Sequence, residues 1–217
     1  MPHDHHAHEH GGLSPSGHPY REDNDAPLSY WQCMEVAVRE LLVEKGEVTA
    51  AQVSAQIEAM DARSPTNGAQ VVARAWSDPE FKAALLADGS AATREMGFDI
   101  GPMHLVAVEN TADIHNVIVC TLCSCYPRNL LGLPPDWYKT REYRSRTVRE
   151  PRKVLEEFGL VLPESTQVRV HDSTADMRYI VLPARPAGTE GMDRDALAAL
   201  VTRDSMIGTG LPRTPEA

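Results

Sequence analysis

Three of the four cysteines, Cys120, Cys123 and Cys125, fall within six residues, in the run Ile118-Val119-Cys120-Thr121-Leu122-Cys123-Ser124-Cys125-Tyr126-Pro127. A Cys-x-x-Cys-x-Cys loop can bring all three sulfurs to one point. It is too short to do so without its own backbone lying against whatever the sulfurs hold, so backbone nitrogens become candidate donors. Soft thiolates with deprotonated amides suit a small, strongly Lewis-acidic transition metal better than zinc. Structural zinc sites usually gather two ligand pairs from separated segments, and no second Cys-x-x-Cys or His-x-x-x-His follows at the usual distance. A redox Cys-x-x-Cys would run into a helix and has no use for a third thiol two residues on.

Such a loop has to be delivered by something rigid. The apolar, β-branched residues Val117, Ile118 and Val119 predict a buried strand running directly into Cys120. Leu105 to Glu109 and Ile114 to Val119 read as two strands joined by the Asn110-Thr111 turn. Val168-Arg169-Val170 and Arg178 to Leu182 read as a second strand pair, joined by the polar Asp172-Ser173-Thr174 turn. Upstream the period is helical. Leu28 to Lys45 carries Met34, Val38, Leu41 and Leu42 at helical spacing, with Gly46 as a stop. Thr49 caps a second helix, with Gln52 in the box position. A break at Ser64 to Gly68 precedes a helix starting near Ala69. Another follows, capped by Ser77 with Glu80 in the box position and ending around Asp88-Gly89, and Ser90 and Gly97 bracket one more. After the loop, Leu133-Pro134-Pro135 forces an extended connection, a helix runs from about Pro151 to Phe158, and Asp193 caps a closing helix through Val201. The expected class is α+β. A His-rich disordered tail (1–27) leads to a helical N-terminal region (28–103) and a metal-binding catalytic domain (104–217).

Composition excludes several roles. A net charge of −10 over 217 residues argues against a nucleic-acid binder. No run approaches the roughly 18 apolar residues of a membrane span, and no apolar signal core precedes residue 28, which points to an acidic cytoplasmic protein. Cys33 sits alone in a helical pattern and reads as a buried thiol. His3, His5, His6, His8 and His10 alternate with acids, a pattern suited to weak divalent-ion binding that would help load metal, or simply to a solvated tail. His115 reads as a core histidine. Tyr126, Trp137 and Tyr138 read as packing, and Arg144, Arg146, Arg149 and Arg152 as a basic cluster facing a partner or bracing the loop.

Val119 to Pro127 resembles the metal loop of the nitrile hydratase alpha subunit family, which includes the gamma subunit of thiocyanate hydrolase. Leu131-Gly132-Leu133-Pro134-Pro135-Asp136-Trp137-Tyr138, Tyr143-Arg144-Ser145-Arg146, Arg149-Glu150-Pro151-Arg152, Arg185-Pro186-Ala187-Gly188-Thr189 and Leu200 to Gly208 carry the same resemblance. It implies a helical arm that embraces a beta subunit, and a layered helix-sheet-sheet-helix catalytic domain. It also implies that the sulfurs of Cys120, Cys123 and Cys125 and the backbone nitrogens of Ser124 and Cys125 hold one trivalent metal per subunit, with Cys123 oxidised to a sulfinate and Cys125 to a sulfenate. Cys125, Cys123 and Ser124 are thereby the implied catalytic residues. Thr121, by the same resemblance, points to cobalt rather than iron. The partners implied are a beta subunit supplying two arginines and part of the pocket, in a heterodimer or heterotetramer, a metal-loading activator protein, and a small nitrile substrate. Arg128 stands where many members place Trp, and the Gln expected near Gly97 to Met103 is absent, so thiocyanate is the alternative substrate. A non-catalytic thiolate scaffold is the reading from another class.

Overall fold

The computed structural model describes residues 27–215, so the His tract and its reading as a metal-loading tail lie outside the described residues. Two compact units divide between residues 62 and 63. The first holds α1 (Tyr30–Glu44) and α2 (Ala50–Asp61), each opened by a capping box: Ser29 with Gln32, and Thr49 with Gln52. Neither helix buries a residue, and Trp31, Val38, Leu41 and Ile57 are exposed. Cys33 is exposed too, against expectation, because nothing in its own unit covers that face of α1.

The second unit begins with α3 (Thr66–Ser77), α4 (Pro79–Ala87) and α5 (Gly89–Glu95). The caps differ from expectation, by one residue at α4 and by two at α5. Asp78, directly before the Pro79 that opens α4, accepts the Phe81 amide at 3.0 Å, while Ser77 donates back to the Ala73 carbonyl. Asp88 caps α5, which frees Ser90 to accept the Leu105 amide at 2.8 Å and tie the helix to the first strand. Strands β1 (His104–Glu109), β2 (Ile114–Val119), β3 (Gln167–Asp172) and β4 (Met177–Leu182) fall where the sequence put them. Their partners do not. β1 pairs with β4 and β2 with β3, both parallel, with His104 opposite Met177 and Val119 opposite Asp172. The two short links that suggest hairpins instead carry the chain from one two-stranded sheet to the other. Asn110 shows why: its amide donates to the Leu182 carbonyl, prolonging the β1–β4 ladder, and its side chain accepts the Asn116 amide at 2.7 Å at the start of β2. Strand β2 is buried at every position after Ile114, the pattern of a strand covered on both faces.

Helices α4 and α5 pack on β1, while α7 (Arg141–Thr147) packs on β2 and α8 (Pro151–Glu157) on β3. The sheets meet through contacts of β2 with β1 and β4, giving the expected order of helix, sheet, sheet and helix. Four short segments escape the period of the sequence: α6 (Arg128–Leu131), a 3₁₀ turn (Asp136–Lys139), α7 and α10 (Arg203–Ile207), the last following α9 (Arg194–Leu200). Ile118, Leu130, Leu131, Tyr138, Met206 and Ile207 form the floor of the core beneath the cysteine loop. No helix among the described residues is long and apolar enough to cross a membrane.

A buried polar network underlies β2. The Asn110 side-chain oxygen accepts from Asn116, so its amide nitrogen is left to donate to His115 Nδ1 at 3.2 Å. His115 Nε2 therefore carries the proton and donates to the Gly208 carbonyl at 2.7 Å. This is a satisfied core histidine, as the sequence suggests, and burial holds its pKa below 6.5. The same cause lowers His171, whose Nε2 bonds Asn116 Oδ1. A depressed folded-state pKa favours the neutral ring, so its stabilising effect is complete above the unfolded value of 6.5 and is lost as pH falls below it. The melting temperature should be flat above about pH 6.5 and fall below it. His115→Gln should melt lower at neutral pH but lose less on acidification; an unchanged acid slope would remove this network as its source.

Candidate metal centre

The loop leaves β2 with its first residue already fixed. The ladder continues one step beyond the strand, where the Ser173 amide donates to the Val119 carbonyl at 2.7 Å. Asp172, facing Val119 in register, then accepts both the Thr121 amide (2.9 Å) and the Thr121 hydroxyl (2.6 Å). From below, the buried Tyr138 hydroxyl donates to the Cys125 carbonyl at 2.9 Å and the Tyr143 hydroxyl to the Ile118 carbonyl at 2.7 Å. Their rings pack with Tyr126, Trp137 and Phe158 as an aromatic wall, with Tyr126 5.1 Å from Tyr138 and Trp137 4.6 Å from Phe158. Burial raises the pKa of all three tyrosines and keeps them neutral; Tyr138 and Tyr143 are donors, while the buried Tyr126 hydroxyl meets no acceptor among the described residues. Arg144 Nη1 donates to the Cys123 carbonyl.

Within this frame the sulfurs converge. Cys123 Sγ lies 3.6 Å from Cys120 Sγ and 3.3 Å from Cys125 Sγ, and the three are within 4.8 Å of one another. All are free thiols, far beyond the roughly 2.05 Å of a disulfide. Cys120 and Cys125 are buried and Cys123 is exposed, beside Leu122 at 81% exposure. The bond with Cys125, then the Ser124 amide, hold the Cys123 thiol below its ordinary pKa, and the Cys125 amide adds to this. Burial and the neighbouring thiols push Cys125 up to about 12, with Arg178 opposing the rise. Three such sulfurs cannot all carry charge without a cation between them, and the Ser124 and Cys125 amides lie against the Cys123 sulfur. The donor set therefore fits a metal ion.

Of the four clustered arginines only Arg144 reaches the loop. Arg146 is held by Glu150 (2.6 Å) and Glu157, which raise its pKa. Arg149 bonds Ser145, and Arg152 the carbonyls of residues 162–166. Asp172 and Tyr143 are the supports that sequence reasoning missed. Asp172 looks like a turn residue until β2 and β3 are known to be parallel and in register. Tyr143→Phe leaves the Ile118 carbonyl buried without a donor and should cost about 1–3 kcal/mol, read by denaturant unfolding; a loss below about 0.5 kcal/mol would mean that water replaces the hydroxyl.

The model for the nitrile hydratase alpha chain matches residues 29–210. The alpha subunit of a cobalt-containing nitrile hydratase from Pseudonocardia thermophila is 51% identical over 177 residues, 79% of this chain and 86% of that one. Among solved structures, a double mutant of the Fe-type nitrile hydratase from Comamonas testosteroni Ni1 superposes with a TM-score of 0.82 at 46% identity, covering 88% of this chain and 94% of that one. A recombinant thiocyanate hydrolase with partially modified cobalt centres gives 0.81 at 42% identity, covering 86% and 92%. With the family model and a relative at half identity both spanning the described fold, the chain belongs to the nitrile hydratase alpha chain family.

Proposed function

We propose that this chain is the metal-bearing alpha subunit of a cobalt nitrile hydratase, which hydrates small nitriles to amides. The convergence of three thiols, with two backbone amides against the Cys123 sulfur, in a loop held by four side chains carries the reading. Cys120, Cys123 and Cys125 hold the ion through sulfur, and Ser124 and Cys125 through backbone nitrogen. When bound, one trivalent cobalt per subunit supplies a redox-silent Lewis acid with an open position. Thr121 and the cobalt-containing relative favour cobalt over iron.

The residues divide the remaining work. With dioxygen as the oxidant, exposed Cys123, whose thiol has the lowered pKa, takes up two oxygen atoms as the sulfinate, and buried Cys125 takes up one as the sulfenate. Their oxygens then accept the proton of the attacking water and align it, with the Ser124 side chain beside them. A beta subunit supplies two arginines that hold these oxygens and closes part of the pocket in a heterodimer or heterotetramer, after an activator protein has delivered the metal.

The second reading is thiocyanate hydrolysis to carbonyl sulfide and ammonia, favoured by Arg128, partly buried directly after Pro127. The deciding assay co-expresses the chain with its beta-type partner in the presence of cobalt and offers a small aliphatic nitrile and thiocyanate in parallel. Amide as the main product supports the proposal, and carbonyl sulfide moves the chain to the second reading. Turnover of neither, with unoxidised cysteines and retained metal, leaves a thiolate scaffold.

A further inference from the structure

Arg144 is set apart from the other arginines of its cluster by what it reaches. Among the described residues it pairs with no carboxylate, whereas Arg146, two residues on, is consumed by two. Its Nε is buried without a partner, and its Nη1 is spent on a single carbonyl oxygen, that of Cys123, at 2.5 Å. Arg152 and Arg178 also bond backbone carbonyls, but the carbonyl that Arg144 reaches lies inside the cysteine loop. Arg141 and Arg149 line the same groove with Thr121, whose amide and hydroxyl take up the carboxylate of Asp172.

That carbonyl belongs to the peptide unit whose nitrogen is Ser124. The C–N bond of a peptide has partial double-bond character, so electron density gathered at the nitrogen is shared with the oxygen. We infer that Arg144 is a positioning residue of the metal centre: its guanidinium fixes the plane of the Cys123–Ser124 peptide and balances the charge that reaches the Cys123 carbonyl oxygen when the Ser124 nitrogen serves as a donor. The inference rests on the ligand set proposed above.

Other supports of the loop do not duplicate this role. Asp172 is an acceptor and itself anionic, and Tyr138 and Tyr143 are neutral donors to other peptide units. Arg178, near Cys125, is tied to the carbonyls of Thr174 and Met177. Arg144 is thus the cationic donor to a carbonyl between the first and last cysteines.

The test uses the cobalt-loaded complex with its partner subunit, as wild type, Arg144→Gln and Arg144→Lys, with Cys120→Ser as the control for ligand loss. Cobalt per chain, the sulfur-to-cobalt charge-transfer absorption and the half-time of cobalt loss to excess chelator are read beside the melting temperature. Arg144→Gln, which keeps a donor without charge, should lose cobalt about tenfold faster with a shifted absorption band at an unchanged melting temperature. Arg144→Lys should recover most of the retention. Retention and absorption equal to wild type in Arg144→Gln would overturn the inference, as would equal losses in both variants accompanied by a falling melting temperature, which mark a structural brace. Wild-type complex without cobalt sinks the ligand set and the role of Arg144 with it; wild-type cobalt beside an indifferent Arg144→Gln sinks the role of Arg144 alone.

Discussion

Cys125→Ser should empty the centre and abolish turnover in the assembled complex while leaving the chain folded. A serine oxygen is harder than sulfur and holds its proton far more tightly, so it cannot replace a thiolate toward a soft-ligand site. The geometry leaves no substitute, since Cys125 Sγ is 3.3 Å from Cys123 Sγ and the Cys125 carbonyl is already fixed by Tyr138. Cobalt content should fall at least about tenfold and activity at least about a hundredfold, because losing an atom bonded to the metal costs more than the roughly 10–100-fold seen when a residue that only orients a ligand is lost. The fold should survive, as the exchange removes little volume and breaks none of the restraints carried by Asp172, Tyr138 and Tyr143. Circular dichroism and melting of the variant complex check this beside metal analysis. Full activity with wild-type cobalt in Cys125→Ser would remove Cys125 from the ligand set and the proposed function with it.

Gly208→Ala should act on folding instead. Gly208 closes α10 at φ +92°, a conformation that a residue with a Cβ rarely adopts. Its surroundings are worse than its dihedral. A Cβ there would run into the Asn116 carbonyl oxygen and lie 2.8 Å from Val117 Cα, both in the backbone of the strand that delivers the cysteines. Backbone cannot swing aside, so α10 must lift from β2 and the Gly208 carbonyl must leave His115 Nε2. The expected cost is at least about 4 kcal/mol, in the range that marks a named structural fault. Gly97→Ala separates strain from collision, because Gly97 has a similar φ of +83° with nothing within 4 Å. It should cost only about 1 kcal/mol. Equal, small losses in both variants by denaturant unfolding would show that β2 and α10 can separate freely.

What the sequence made legible was local. The capping boxes at Ser29 and Thr49, the buried run into Cys120 and the stop at Gly46 depend on neighbours within a few residues, and each stands where its residues put it. The convergence of Cys120, Cys123 and Cys125 was legible for the same reason. Strand partners were not, because period and turn chemistry describe a strand and not what lies beside it; Asn110-Thr111 reads as a hairpin turn but spends its hydrogen bonds on joining two sheets. The exposure of Cys33 was hidden because an apolar stripe states that a face wants cover and not that its own chain supplies it. Asp172 was hidden by register, and Tyr143 because α7 is too short to show a period.

The support of the loop also has an order in time. Asp172 lies 51 positions after the threonine it holds, and Gly208 lies 93 after His115. During synthesis the three thiols leave the ribosome before β3 emerges to pair with β2, and a contact of such separation forms late. The cysteines therefore pass through a stage in which they are exposed, unpositioned and open to oxidation or to the wrong ion. Their geometry is set by the chain that follows them, so the selectivity of the centre is acquired only when the last third of the molecule closes.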